Sequence, residues 1–162
     1  MKKTAVIMGS DSDLPIVQKA IDTLRELKMP FEVHVLSAHR TPEETALFAK
    51  TAEENGFGVL IAAAGMAAHL AGVLASYTCL PVIGIPCRSS SGDGADARYS
   101  TVMMPPGVPV ACVAVGGAVN AALLAAEILS LSDERLAQAL KDRRAREKAK
   151  VLEKDQTIHQ KV

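Results

Sequence analysis

Six consecutive residues, Ser37-Ala38-His39-Arg40-Thr41-Pro42, set an imidazole and a guanidinium beside two hydroxyls. Histidine exchanges a proton near neutral pH. Arginine holds a phosphate or carboxylate through two parallel N–H bonds. Together they suit proton transfer on an anionic substrate, although residue types alone fit a polar helix-capping loop equally well. A second cluster is Gly9-Ser10-Asp11-Ser12-Asp13. A helix follows it, so Ser10, Ser12 and their backbone amides face a helix N-terminus, which suits a phosphate or a sugar. Asp13 serves there either as a ligand or as the helix N-cap. In Ala64-Gly65-Met66-Ala67-Ala68-His69 the histidine stands in an otherwise small, apolar loop and fits a satisfied core residue better than a catalytic one. Arg88-Ser89-Ser90-Ser91-Gly92-Asp93-Gly94 reads as a flexible lid, a phosphate cradle or a linker. His34 and His159 are assigned no role.

Several chemistries are disfavoured. Neither the glycine-rich dinucleotide fingerprint nor a P-loop is present, which argues against NAD and ATP. No trio of His, Cys or carboxylate has metal-ligand spacing, so no metal is expected. Cys79, Cys87 and Cys112 are odd in number and match no redox motif, and read as small hydrophobes in a reducing cytosol. Eighteen basic and 18 acidic residues cancel, with pI near 6.9. Nucleic-acid binding through a basic field is therefore disfavoured, and an anionic ligand must be held by local chemistry. The near-neutral surface leaves self-association easy. The N-terminal apolar run stops at Gly9, too short for a signal peptide, and although 58–87 is strongly apolar no stretch suits a bilayer span. A cytoplasmic protein with no membrane partner is expected.

Short apolar runs alternate with helical spacing. Strands are expected at 4–8, 32–36, 58–63, 81–85 and 110–115, mostly continuous in hydrophobicity, as for strands covered on both faces. Helices are expected at 13–27, with Ile16, Val17, Ala20, Ile21 and Leu24 on one face, and from Pro42 to about Glu54 behind Thr41 as N-cap. Others start near Ala67, cover 119–131, and run from a Ser132-Asp133-Glu134 cap past Lys150. The repeated strand–helix–strand pattern implies right-handed crossovers and a three-layer α/β fold, flavodoxin-like or Rossmann-like, with a parallel sheet and a C-terminal helical extension. Residues 1–162 read as one domain. The charge-rich tail over 133–162 is either a solvated helix or one that packs on a neighbouring subunit.

Ligands of an open parallel sheet bind beyond the carboxyl ends of its strands. The strand assignments bring all four polar loops to that one rim, with two of the four histidines and two arginines. The turn Met103-Met104-Pro105-Pro106-Gly107-Val108-Pro109 is expected to wall the same cleft.

Met8-Gly9-Ser10-Asp11-Ser12-Asp13, the 37–42 segment, Ala67-Ala68-His69-Leu70, Met104-Pro105 and Asn120-Ala121-Ala122-Leu123-Leu124-Ala125-Ala126 occur in the order and at the spacing of one family. On these motifs the chain resembles the PurE family, the N5-carboxyaminoimidazole ribonucleotide mutases of bacterial purine synthesis, over about residues 4–155. The resemblance implies a flavodoxin-like subunit in a homo-octamer, with a ribonucleotide site at each subunit interface and no metal, ATP or organic cofactor. It implies that Ser10 and Arg40 hold the 5′-phosphate and Asp13 the ribose. His39 would transfer the proton, Ser37 would join the substrate-binding set, and Gly65, Ala67 and His69 would cover the base. The chain departs from the family at Met66, where glycine is usual, and at Ala71, Gly92, Arg98 and Met103. Met66 is expected to narrow the CO2 pocket or reshape its loop. A second branch fixes free CO2 directly onto aminoimidazole ribonucleotide and lacks the equivalent of His69, so His69 favours the mutase. A non-catalytic nucleotide-binding oligomer is the other alternative, and the retained Ser10, Asp13, His39 and Arg40 argue against it.

Overall fold

The computed structural model describes residues 1–89 and 92–159. Its five parallel strands are β1 (Lys3–Met8), β2 (Phe31–Val35), β3 (Phe57–Gly65), β4 (Val82–Cys87) and β5 (Ala111–Cys112), in the sheet order β2-β1-β3-β4-β5. This is the flavodoxin-like α/β order. β3 is central and apolar on both faces, and it is buried from Phe57 to Ala63. β2 lies at an edge, paired only with β1, and exposes Val33 and Val35.

Helices cover both faces. On one face α1 (Leu14–Glu26) and α5 (Ala118–Ser130) pack Val17, Ala20, Ile21, Leu24 and a run of alanines against Val6, Ile61, Ile83 and Ile85. On the other, α2 (Pro42–Thr51) and α3 (Leu70–Ala75) pack Ala49, Leu70, Ala71 and Leu74 against Ala5, Ile7, Leu60 and Val82. Small residues let the layers approach closely, and tight packing of such cores supplies the dispersion that large side chains would otherwise give.

Two elements differ from the sequence expectation. A helix, α4 (Ala95–Val102), follows the fourth loop, opened by Gly94 in a left-handed conformation (φ 95°) and by Asp93 Oδ1 accepting from Ala95 N at 3.1 Å. It buries only Ala97 and Thr101, one small residue per turn, so no apolar period announces it. Strand β5 is two residues long rather than six. Pro109, two residues before it, lacks an N–H, and past Cys112 the run stays beside β4 only through single bonds, from Val113 N to Gly84 O at 3.1 Å and from Gly116 N to Pro86 O at 2.9 Å, before the Gly116-Gly117 turn.

The last helix, α6 (Glu134–His159), starts where expected, with Asp133 Oδ1 accepting from Leu136 N at 3.0 Å. Leu136 is buried, and Ala139 and Leu140 pack against the same core as α5. Arg143 and Arg146 both reach Glu26 of α1, and Arg144 reaches Glu127 of α5. Such exposed pairs contribute little, so Leu136 anchors the helix. Beyond Lys148 every described residue is exposed, including Val151, Leu152 and Ile158.

Helix α4 is pressed onto β4 at a single glycine. A Cβ on Gly84 would lie 2.3 Å from Thr101 Cγ2 and 3.3 Å from Ala71 Cβ. Gly84→Ala is expected to lower the unfolding free energy in urea by at least about 1–3 kcal/mol, the usual cost of overpacking a core. Adding Thr101→Ser, which removes the offending methyl, should recover much of the loss.

Candidate active site

The carboxyl ends of β1, β2, β3 and β4 open into one cleft of about 710 Å³. Its walls include Ser10, Asp13, Ser37, His39, Arg40, Gly65, Ala67 and His69, so the topology gathers every expected site residue in one place.

At the β1 end Ser10 caps a single 3-10 turn, Asp11–Asp13, its Oγ accepting from Ser12 N at 3.3 Å and from Ser12 Oγ at 2.9 Å. Arg40 comes from the β2 loop and folds across to this turn. Its Nη2 donates to Gly9 O at 2.8 Å, and its Nε to Ser37 Oγ at 3.4 Å. Ser37 Oγ also accepts from Arg40 N at 3.2 Å. Thr41 occupies the N-cap position of α2 without capping it. Its Oγ1 instead accepts from Ser37 N at 2.9 Å and donates to Ser37 O at 3.1 Å. The loop is thus tied to itself, with the guanidinium fixed beside the Ser10 turn.

Asp13 stands at the N-cap position of α1, yet its carboxylate makes no capping hydrogen bond. The carboxyl faces the cleft instead. Burial pushes its pKa above the ordinary aspartate range, opposed by hydrogen bonds with the Ser10 backbone and the Cys87 thiol. Cys87 is fully buried at the end of β4. Burial first, and then the Asp13 carboxylate, push its thiol up to about 12. It is therefore an inert thiol rather than a nucleophile.

His39 Nε2 and His69 Nδ1 lie 2.9 Å apart, their rings edge-to-face at 80° with centroids 5.0 Å apart. His69 is exposed at the start of α3 and is no core residue, which corrects the reading of its loop by residue type. One ring must donate and the other accept, so the bond couples the two tautomers. It leaves Nδ1 of His39 and Nε2 of His69 without a hydrogen-bond partner among the described residues.

The third loop is shaped by two backbone constraints. A Cβ on Gly65 would sit 3.3 Å from Cys87 O, so glycine permits the close approach of β3 and β4 at the rim. Met66 has φ of 56°, a left-handed conformation that costs a non-glycine residue roughly 1–2 kcal/mol. Strain of this kind is characteristic of functional loops. Its side chain is 59% exposed and lines the cleft.

The AIR carboxylase family model matches residues 3–150. The chain belongs to the AIR carboxylase family. A Thermotoga maritima relative named N5-carboxyaminoimidazole ribonucleotide mutase is 48% identical over 160 residues, covering 99% of this chain and 94% of its own. A Bacillus subtilis relative of the same name is 53% identical, covering 91% and 93%. The crystal structure of Treponema denticola PurE superposes with a TM-score of 0.87 at 31% identity, covering 96% of this chain and 97% of that one.

Two loops depart from where the sequence pattern puts them. The Met103-Met104 turn does not wall the cleft. It lines a separate groove of about 550 Å³ with Tyr99 and Val73, which meets the cleft only at His69. Of the fourth loop, Arg88 and Ser89 reach the cleft, while Gly92, Asp93 and Gly94 do not; Ser90 and Ser91 lie outside the described residues. Arg88 was placed on the rim by topology but marked by no motif. Among the described residues no group of three or more His, Cys, Asp or Glu could hold a metal ion, and no helix is long and apolar enough to cross a membrane.

The raised pKa of Asp13 ties stability to pH. Its favourable contribution is complete below the ordinary aspartate range and is lost as pH rises through the raised value, because the folded state then carries a desolvated charge. Asp13→Asn should therefore melt above wild type at neutral pH, with the gap closing as pH falls below about 4, where aspartate is neutral in both states. Equal melting curves at pH 7 would show that the carboxyl bears no burial cost.

Proposed function

We propose that this chain is an N5-carboxyaminoimidazole ribonucleotide mutase of purine biosynthesis, moving a carboxylate from the exocyclic nitrogen of the ribonucleotide to carbon 4 of its imidazole. The observation that carries the reading is the His39–His69 pair set in a cleft that also holds the Ser10–Arg40 cradle. This matches a substrate with a phosphate at one end and a protonation site at the other. The relatives' shared name supplies the reaction.

Ser10, the amides of its turn and Arg40 hold the 5′-phosphate, as a helix N-terminus and a guanidinium both favour negative charge. Asp13, free of any capping duty, accepts from the ribose hydroxyls. Ser37 keeps Arg40 in place and borders the nucleotide. Gly65, Ala67 and His69 cover the base. His39 carries the proton. The bond from the exocyclic nitrogen to the carboxyl carbon breaks with its electron pair staying on nitrogen, which takes a proton from His39, and CO2 is released within the cleft. Carbon 4 then attacks CO2, a carbon–carbon bond forms, and the carbon 4 proton returns to His39. One imidazole serves both steps because they follow in sequence. The hydrogen bond to His69 holds the ring and its tautomer.

No metal, ATP or organic cofactor enters this balance. The same reading makes the protein a single-domain subunit over 1–162 in a cytoplasmic homo-octamer, with the start of α6 held on its own core and its exposed end beyond Lys148 packing on a neighbour. Support comes from the exposed Val151, Leu152 and Ile158 on α6, from Leu131, 90% exposed, and from the absence of net charge to keep copies apart.

An absorbance assay on N5-carboxyaminoimidazole ribonucleotide, in both directions and with or without bicarbonate, tests the reading. Conversion without added bicarbonate is expected, and His39→Asn should keep nucleotide binding while losing about 10²–10⁴-fold in turnover, the usual worth of a positioned acid–base group. Activity only on the uncarboxylated nucleotide plus CO2 would instead make it a direct carboxylase.

A further inference from the structure

The substrate of the proposed reaction carries negative charge twice, on its phosphate and on the carboxylate that migrates. The cleft holds two guanidiniums and no lysine among its lining residues. Arg40 is committed, bonded to Gly9 O and Ser37 Oγ beside the Ser10 turn. Arg88 lines the same cleft, is exposed, and makes no hydrogen bond or ion pair among the described residues.

Its position separates it from the phosphate end. Gly9 follows β1 and Arg88 follows β4, with β3 between them, which sets their backbones about 10 Å apart across the rim at ordinary strand spacing. Cys87 pairs in register with Gly65, and a Cβ on Gly65 would lie 3.8 Å from Arg88 O. Arg88 therefore borders the loop that carries Met66 and His69. Because the protein has no net charge, no general field can take the place of a local cation at this end.

We propose that Arg88 binds the migrating carboxylate, and so sets the preference of this cleft for carboxylated over uncarboxylated ribonucleotides; the inference rests on the mutase reading. Its planar fork can donate to both carboxylate oxygens at once. The pairing is strongest in substrate and product, where the group is anionic, and weakest when it is neutral CO2. Arg88 thus contributes to holding the two nucleotides more than to lowering the barrier between them.

Calorimetric titration of full-length wild type, Arg88→Gln and Arg88→Lys with aminoimidazole ribonucleotide and its 4-carboxy form tests this directly. Arg88→Gln should weaken the carboxylated nucleotide by about tenfold to a hundredfold, the range of a charged hydrogen bond. It should leave the uncarboxylated one within about twofold, since its phosphate contacts are untouched. Arg88→Lys should recover part of the loss. In turnover, KM should rise by a much larger factor than kcat falls. Equal weakening of both nucleotides, or of neither, would overturn the assignment. Wild type that bound neither nucleotide would instead overturn the mutase reading beneath it.

Discussion

Because β3 is hydrogen-bonded to β1 along one edge and to β4 along the other, three strands must end at one level of the sheet. Met8 pairs with Ala63, and Gly65 with Cys87, so the loops that follow begin within a strand spacing or two of each other. The small residues at the end of β3, Ala62 to Gly65, leave room for the crowding this produces. The same frame carries α4, pressed through Thr101 onto Gly84. Without this central pairing the first and third loops would have no common rim.

Within that frame a neutral protein assembles strong local charge. Arg40 crosses from the β2 loop to the carbonyl of Gly9, so a cation from one loop is fixed by the backbone of another. Asp13 keeps its carboxylate facing the cleft, outside any capping bond and at a cost in burial, and the thiol of Cys87 beside it is too weak an acid to compete for chemistry. The bond from His39 to His69 joins residues 30 apart in sequence. The Asp13 carboxyl works against the fold's own stability, as residues reserved for a ligand often do. The strain at Met66 belongs with it.

Much of this was legible in the sequence. Continuous apolarity marked β1, β3 and β4, and helical spacing marked α1 and α5, because both faces of the sheet are covered. Placing the polar loops at one rim then followed from parallel topology alone. Other features depended on geometry that residue types do not encode. Helix α4 buries too little to show a period. Thr41 and Asp13 both have capping chemistry and both spend it elsewhere, Thr41 on Ser37 and Asp13 on the cleft. His69 resembled a core histidine because its neighbours are small and apolar, although the loop turns it outward to His39. Arg88 carried no motif, and its significance comes from being the cleft's uncommitted cation.

The central claim is that one carboxyl group leaves nitrogen and reaches carbon 4 without escaping the cleft. Substrate labelled with carbon-13 in its N-carboxylate, turned over in excess unlabelled bicarbonate, measures this in the product's carboxyl signal. The account predicts that the product keeps the label. An unlabelled product formed at the full rate would mean that the CO2 comes from solution, and would contradict it.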